Sequence, residues 1–196
     1  MHRSRPMALL LCAVMLILAA CDALPADSSI VVKADEVAVV YAQDTGALEN
    51  TLTEGRYEIQ ALQQGVMFYP LFWQVYSFRD EYTLNDGALG GDAIEAQTID
   101  ETEVRVNVSL VFRVNADEIE VIFDSWGSDD YRPGYIHPTA RRVVKDIIGL
   151  YSAQSLSTLA ASDLQVRIEN ALRAEFEANG FLLQRVDLGE VVIVDG

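Results

Sequence analysis

The chain has 196 residues, 51% of them hydrophobic, and its 30 acidic and 14 basic side chains give a formal net charge of −16. This length suits one ordinary domain or two small halves packed together. The excess of acid argues against nucleic-acid partners, which need a basic surface, and against electrostatic adhesion to anionic lipid. Any attachment to a membrane must therefore be hydrophobic.

The first twenty residues have the pattern of an export signal. Arg3 and Arg5 give a basic start, and residues 7–20 are apolar. As a helix this stretch would be about 21 Å long, whereas a membrane-spanning helix needs about 20 apolar residues for a core of about 30 Å. It is therefore too short for a good anchor and is typical of a signal peptide. Loss of both arginines with the signal would leave 12 basic and 30 acidic side chains, a formal −18.

The signal closes with Leu18-Ala19-Ala20-Cys21, which resembles the lipobox of bacterial lipoproteins. The resemblance implies that Cys21 carries a diacylglycerol and becomes the first residue of the mature chain. Several acyl chains, at about 0.8 kcal/mol per buried methylene, hold a protein firmly at a bilayer. We therefore predict a lipid-anchored protein on the extracytoplasmic side of the cell membrane; an ordinary secretory signal and an uncleaved anchor are the alternatives.

Cys21 would be the only thiol of the mature chain, because Cys12 lies inside the signal. A single cysteine allows no disulfide framework and no cysteine-based metal site.

The mature chain begins with a short polar stretch and continues in strand patterns. Residues 21–29 contain a proline and are predicted to be a flexible tether. Residues 30–41 are rich in β-branched side chains, which predicts one or two short strands. The turn signal Asp44-Thr45-Gly46 leads into a hairpin through residues 48–52, and Glu54-Gly55 breaks the chain again before another strand.

Residues 65–78 are the most apolar stretch of the mature chain and contain six aromatic side chains. Pro70 lacks a backbone N–H, so two strands around a bend are predicted rather than one strand or a helix. Aromatic side chains of this kind pack in a core, bind a ligand, or contact a membrane or a second subunit. The candidates for membrane or subunit packing are Phe68, Tyr69, Phe72 and Trp73.

The clearest strand covers residues 104–114, where apolar side chains alternate with polar ones and only Val111 breaks the pattern. The apolar face comprises Val104, Val106, Val108, Leu110, Phe112 and Val114. Residues 93–98 are predicted to pair with this strand as an antiparallel hairpin with an exposed polar face. Residues 85–92 contain three glycines and are predicted to be a mobile loop.

The apolar period then changes to that of helices. Residues 115–126 predict a short helix that Gly127 ends. Pro138 suits the first turn of a second helix. The pattern Ser162-x-x-Gln165 fits a capping box and predicts that a third helix begins at Ser162. Asn179-Gly180 is a typical end for that helix.

Residues 181–194 return to a strand pattern, which completes the order of elements. Strands dominate residues 30–114, and helices with a closing strand fill residues 115–196. This order predicts an α+β domain over residues 30–196, in which an antiparallel, strand-rich N-terminal half packs with a helix-rich C-terminal half.

Motifs of enzymes and metal sites are absent from the sequence: there is no glycine-rich phosphate loop, nucleophile elbow or His-Glu-x-x-His helix. His137, the one histidine after the signal, is expected to cap a helix or face solvent rather than act as a general base. The acidic groups Asp100-Glu101-Glu103 and Asp129-Asp130 lack calcium-loop spacing and are expected in solvated turns. We predict no catalytic residue, metal or cofactor; a hydrolase with an unrecognised carboxylate pair is the enzymatic alternative.

The one basic cluster of this acidic chain consists of Arg141, Arg142 and Lys145. Such a cluster is commonly a solvated helix face. The sharper hypothesis is a contact with the acidic surface of a second copy of the chain, since opposite charges fix the register of an interface.

Four segments, taken in order and spacing, carry a resemblance to a known family. They are Glu95-Ala96-Gln97-Thr98-Ile99-Asp100 followed by Val104-Arg105-Val106-Asn107-Val108-Ser109-Leu110-Val111-Phe112-Arg113-Val114; Ile136-His137-Pro138-Thr139-Ala140-Arg141-Arg142-Val143-Val144-Lys145-Asp146-Ile147-Ile148; Tyr151-Ser152-Ala153-Gln154-Ser155-Leu156; and Gly180-Phe181-Leu182-Leu183 with Val186-Asp187-Leu188. These segments resemble the central hairpin, a helix and its continuation, and the closing strand of the SPFH (Band 7, stomatin/prohibitin) family. The similarity covers roughly residues 32–194, essentially the whole mature domain.

The resemblance implies a non-enzymatic, membrane-tethered scaffold that oligomerises with itself or a family paralogue. Such a scaffold organises membrane proteins or modulates a membrane protease. Family members usually have an N-terminal hairpin or spanning helix, which a lipid on Cys21 would replace here. Many continue into a long coiled coil, so a chain that ends at Gly196 is expected to be truncated or to assemble more weakly. A monomeric lipoprotein that captures a peptide or small ligand is the alternative from a different functional class.

Overall fold

The computed structural model describes residues 28–80, 89–127 and 130–194. The predicted signal 1–20, Cys21 and residues 21–27 of the predicted tether lie outside them. Ser28 and Ser29, which the sequence assigns to the tether, already form the start of the first strand.

The described chain has a strand-rich first part, a helical second part and a long final strand. The strands of the first part are β1 (Ser28–Val32), β2 (Glu36–Ala42), β3 (Leu48–Leu52), β4 (Gly55–Ile59), β5 (Gln64–Pro70), β6 (Gln74–Phe78), β7 (Leu89–Gly91), β8 (Ile94–Gln97) and β9 (Glu103–Val114). The helices are α1 (Ile119–Trp126), α2 (His137–Ile148), α3 (Ala153–Thr158) and α4 (Ala161–Glu177), followed by the strand β10 (Phe181–Ile193). The predicted α+β class is confirmed.

The strands of the described residues form three sheets. β1 and β4 make a two-stranded antiparallel sheet, and β2 lies between β3 and β5 in a second antiparallel sheet. In the largest sheet β9 is central, with β10 along one edge and both β6 and β8 along the other. β7 extends this sheet beyond β6 as a short parallel strand.

The main core lies on one face of β9. Each of the six alternating apolar side chains predicted for this face is at most 2% exposed. Residues of α2 and α4 bury their apolar sides in the same core. Phe181 at the start of β10 is fully buried, with its ring 5.3 Å from that of Tyr135 and 6.3 Å from that of Phe112.

A smaller core joins the first two sheets. Its buried residues are Val32, Ala38, Val40 and Leu52. Successive side chains of a strand point to opposite faces. Accordingly Val37 and Val39 on β2 belong to the main core, whereas Ala38 and Val40 belong to the smaller one.

Side chains of α4 cover the outer edge of β10. Gln165 accepts a hydrogen bond from the backbone N–H of Leu188, and Glu169 accepts one from that of Val186. Arg173 donates to the carbonyl of Leu183 and is paired with Glu169 at 2.6 Å. Spaced at four residues, Gln165, Glu169 and Arg173 lie on one face of the helix. They give hydrogen-bond partners to backbone groups that an edge strand would otherwise leave open.

The capping box predicted at Ser162 is wrong. The helix begins one residue earlier, and its N-cap residue, Ala160, has no side chain that could accept a hydrogen bond. Gln165 is instead used by the backbone of β10. The short helix α3 was not predicted from the sequence; its N-cap Ser152 accepts a hydrogen bond from the Ser155 N–H at 3.2 Å.

Two further boundaries differ from the sequence prediction. The helix expected to start near Pro138 is already helical from Tyr131, through a π-helical turn at Arg132–Ile136. Pro133 stands in the first turn of that segment, which suits it because proline has no N–H to leave unpaired. Within the predicted mobile loop 85–92, Leu89–Gly91 forms β7 and pairs with β6, while the residues before it lie outside the described part of the chain.

Phe181→Ala is expected to lower the free energy of unfolding by about 3–5 kcal/mol, because it removes a large, fully enclosed aromatic ring. Phe72→Ala, which removes the same ring from an exposed position, should change stability by less than about 0.5 kcal/mol. Urea denaturation of both variants and the parent tests this difference. Equal losses from the two substitutions would contradict the assignment of Phe181 to the core.

Candidate functional site

The structure splits the four predicted packing residues into two groups. Phe68, Phe72 and Trp73 are 41%, 54% and 40% exposed and lie on β5 or in the bend between β5 and β6. Val75, the outward residue of β6, is also exposed. We call Phe68, Phe72, Trp73 and Val75 the aromatic edge. These exposed apolar side chains lie within eight residues of sequence and are our candidate contact surface of the strand-rich half.

Tyr69, in contrast, is a core residue. Its side chain is 2% exposed, and its hydroxyl donates a hydrogen bond to the carbonyl of Gly127 at 2.9 Å. Burial, with a smaller effect from Tyr131, raises the pKa of Tyr69 to about 12. The prediction that Tyr69 packs against a membrane or a subunit is wrong, because on β5 it points to the face opposite Phe68.

Trp73 is held by a cation. The guanidinium carbon of Arg113 lies 4.8 Å from the centre of the Trp73 ring. The buried Nε of Arg113 has no hydrogen-bond partner among the described residues. The cation–π contact with the Trp73 ring therefore contributes to stabilising the buried guanidinium. The sequence places Arg113 on the polar face of β9 but gives no sign that it reaches across to the bend before β6.

The basic cluster is largely occupied by contacts within the chain. Arg142 pairs with Glu175 at 2.8 Å and with Asp146 at 3.4 Å, and these contacts raise the pKa of its guanidinium. Arg141 donates to His137 and to the carbonyl of Asp92. Lys145 is exposed and has no ion-pair partner among the described residues. The predicted subunit contact stays a prediction, and the structure directs it mainly to Lys145.

Lys145 borders a cleft among the described residues. This cleft, of about 500 Å³, is formed by β8, β9, the last turn of α2 and Val194. Its lining has mixed charge, with Glu95, Glu103 and Asp146 beside Arg105 and Lys145. A second cleft, of about 260 Å³, lies between α3, the start of α4 and the end of β10, and most of its lining residues have apolar side chains.

The sequence predicted that His137 caps a helix or faces solvent. In the structure its side chain makes no cap hydrogen bond at the start of α2 and is partly buried. Its ring packs 5.1 Å from that of Phe78, and its Nδ1 lies 3.0 Å from the Tyr76 hydroxyl. Its Nε2 accepts a hydrogen bond from Nε of Arg141 at 3.0 Å. With that lone pair engaged, the imidazole is not placed to take a proton from a substrate.

Two of the acidic groups singled out in the sequence, Asp100 and Asp130, have structural partners. Asp100 accepts hydrogen bonds from the Thr98 hydroxyl and from the Ala153 N–H at the start of α3, and these bonds lower the pKa of its carboxyl. Asp130 pairs with Arg132 at 3.3 Å, whereas Asp129 lies outside the described residues. Within the described chain no three histidine, cysteine, aspartate or glutamate side chains are grouped so as to hold a metal ion.

None of the helices in residues 28–80, 89–127 and 130–194 combines the length and the hydrophobicity needed to cross a bilayer. The model of the SPFH domain / Band 7 family matches residues 30–195, which is most of the chain. A search of curated proteins finds no match to this sequence.

Substitution of Arg113 by methionine is expected to release Trp73 from its docked position, because a cation over an indole ring contributes about 0.5–1 kcal/mol. In a Trp126→Phe background Trp73 is the only tryptophan, since the chain contains two. Its acrylamide quenching constant should rise in the Arg113→Met variant. Arg105→Met, on the same strand and face, is the matched control and should leave quenching unchanged. A rise of the same size in both variants would show that the effect does not come from the Arg113 contact.

Proposed function

Because the chain belongs to the SPFH domain / Band 7 family, we propose that it is a non-enzymatic, membrane-tethered scaffold. In this proposal several copies, or this chain with a family paralogue, assemble beside a bilayer and organise membrane proteins or modulate a membrane protease. The observation that carries the proposal is the match over residues 30–195, since the family is one of membrane-associated scaffolds that are generally not enzymes.

The proposed tether is a lipid on Cys21. The apolar stretch before it is short for a spanning helix, and a mature chain of formal charge −18 is repelled by anionic headgroups. Acyl chains on one residue supply the hydrophobic attachment that charge opposes. In this proposal the domain lies on the extracytoplasmic side of the membrane.

The aromatic edge is the proposed second contact with the bilayer or with a neighbouring copy. The guanidinium of Arg113 lies over the ring of Trp73, and the preceding residue, Phe72, is exposed. Tryptophan and arginine together suit the interface between headgroups and acyl chains, where an apolar ring and a polar end are both satisfied. The polar remainder of this acidic domain would stay in water.

Assembly is proposed to use the mixed-charge cleft. Lys145 presents a cation without an ion-pair partner in the described chain, and the rest of the molecule is strongly acidic. A second copy therefore offers many carboxylates to this position, and such pairing sets the register of an interface more than its affinity.

A specific observation also favours the alternative of a monomeric lipoprotein that binds a ligand. The cleft of about 500 Å³ is large enough for a small polar molecule or a few residues of peptide. In this alternative Lys145 and Arg105 would contact the ligand rather than a second copy. The oligomeric state separates the two functions.

Cys21→Ser is expected to move the protein from the membrane to the aqueous fraction, because serine cannot take the thioether-linked lipid. Cys12→Ser is the matched control, since it changes the other cysteine within the predicted signal and should leave attachment intact. Cell fractionation with immunoblotting, and mass spectrometry of the mature N-terminus, measure both outcomes. Retention of the Cys21→Ser protein in the membrane would support an uncleaved anchor, and an unmodified thiol on soluble wild-type protein would end the proposal of a lipid tether.

Lys145→Glu is expected to shift the assembly toward smaller species, because it replaces an attraction to the acidic neighbour by a repulsion. The effect per contact is about 1 kcal/mol or less, and it is repeated at each interface. Lys33→Glu makes the same change of charge at an exposed residue that already pairs with Glu36, and should leave the assembly unchanged. Size-exclusion chromatography with light scattering in mild detergent measures the species. Wild-type protein that remains a clean monomer at high concentration would refute the scaffold and favour the ligand-binding alternative.

A further inference from the structure

His137 stands at the start of α2, where three elements meet. Its Nδ1 faces the Tyr76 hydroxyl on β6 at 3.0 Å, and its Nε2 faces Nε of Arg141, one helical turn further along α2, at 3.0 Å. The third element is the end of β7. A Cβ atom added to Gly91 would lie 2.8 Å from Cε1 of His137, so the backbone of β7 packs directly on the imidazole.

The two hydrogen bonds fix the protonation state of the ring. An arginine side chain donates hydrogen bonds and does not accept them. The Nε2 atom that faces Arg141 must therefore carry the lone pair, and in a neutral imidazole the proton is then on Nδ1. Nδ1–H donates to the oxygen of Tyr76. His137 is thus held in one tautomer, and its neutral form is the one that fits.

Arg141 links His137 to the end of β7. Its Nη2 donates to the carbonyl of Asp92 at 3.0 Å, immediately after β7 ends. Its guanidinium carbon lies 5.7 Å from the centre of the Phe78 ring. The lone pair of His137 and the Asp92 carbonyl therefore hold the two sides of one guanidinium.

β7 itself is a weak element. It has three residues, pairs in parallel with β6 alone, and forms the outer edge of the largest sheet. Beyond this pairing, the Arg79 N–H donates to the Gly91 carbonyl at 3.1 Å. The local stability of such a short edge strand depends on the hydrogen bonds and packing contacts that hold its ends to the rest of the protein.

We infer that His137, Arg141 and the Asp92 carbonyl form an acid-sensitive latch, which ties β7 to α2 at neutral pH and releases it when His137 takes up a proton. The proton binds at Nε2, which then has no lone pair for Arg141. Two cations would stand about 3 Å apart, and the guanidinium turns away to solvent and leaves the Asp92 carbonyl. The Nδ1–H bond to Tyr76 survives, so the effect is confined to β7.

The charged and titratable groups around the ring differ in their effects. Burial and the Arg141 guanidinium on α2 lower the pKa of His137, while the Asp92 carboxylate, beside β7, raises it. From β6 the facing group is the Tyr76 phenol, whose oxygen lies 3.0 Å from Nδ1 of His137. The pKa of His137 is lower in the closed latch than the ordinary histidine value of about 6.5. The neutral ring therefore stabilises the closed latch fully above that ordinary value, and this stabilisation is lost as the pH falls through the lowered pKa.

Hydrogen exchange on the full chain in detergent tests the latch directly. The amides of residues 89–92 are followed at about pH 7.5 and at successively lower pH, and rates are converted to protection factors so that intrinsic exchange cancels. In the wild type, protection at β7 should fall by up to about tenfold per pH unit, the limit for uptake of one proton. Protection along β9 should stay high.

Three substitutions separate the latch from general acid destabilisation. His137→Gln offers an acceptor and a donor at all pH values and should keep β7 protected in acid. His137→Lys carries a permanent cation and should leave β7 unprotected at neutral pH. Arg141→Gln removes the guanidinium, so β7 should be poorly protected and independent of pH. This last variant keeps the test decisive if the histidine variants do not fold.

The protonation of His137 is followed in parallel by imidazole NMR. The chain has two histidines, and His2→Gln leaves His137 as the only signal. Loss of β7 protection should follow the titration of this ring, and in Arg141→Gln the pKa should move up toward the ordinary value. Identical pH dependence at β7 in wild type and His137→Gln, or titration of His137 without any change at β7, would overturn the proposal.

Discussion

The burial of alternate side chains along β9 is the constraint on which the rest of the fold depends. β9 pairs with β10 on one edge and with β6 and β8 on the other, so all three take their register from it. A slip of one residue would turn every core side chain of β9 toward solvent. The helices then pack on the face that this alternation makes apolar, and the aromatic side chains around Phe181 fill the end of the same core.

The edge of β10 shows how a helix can complete a sheet without adding a strand. α4 is amphipathic, but its boundary with β10 is polar: Gln165, Glu169 and Arg173 bond to backbone groups of the strand. These contacts leave little room for another strand along this part of β10. The proposed contacts between copies of the domain are therefore assigned to exposed side chains, such as those of the aromatic edge and Lys145, rather than to this edge.

Sequence patterns predicted the elements whose cause is local, and failed where the partner is distant in the chain. The alternation of apolar and polar side chains in residues 104–114 and the bend at Pro70 are set by residues adjacent in the sequence. The strands and the fold class could therefore be predicted. Tyr69 was predicted to pack at the surface, but its hydroxyl bonds to the distant Gly127 carbonyl. Arg141 was predicted to contact a second subunit, but its guanidinium bonds to the carbonyl of Asp92, far away in the chain. Gln165 fits a capping box by spacing, yet β10 competes for its side chain more effectively. For the candidate site, the sequence identified the aromatic stretch but could not say which rings point outward.

The position of β2 between two cores has a consequence for how the domain comes apart. Val37 and Val39 anchor one side of the strand and Ala38 and Val40 the other, so neither core can lose β2 without damage to both. The strand-rich half is therefore coupled mechanically to the helical half. The two halves should therefore unfold in a single thermal transition. A fragment cut between them would expose the apolar face of β2 that carries Val37 and Val39, and it would aggregate.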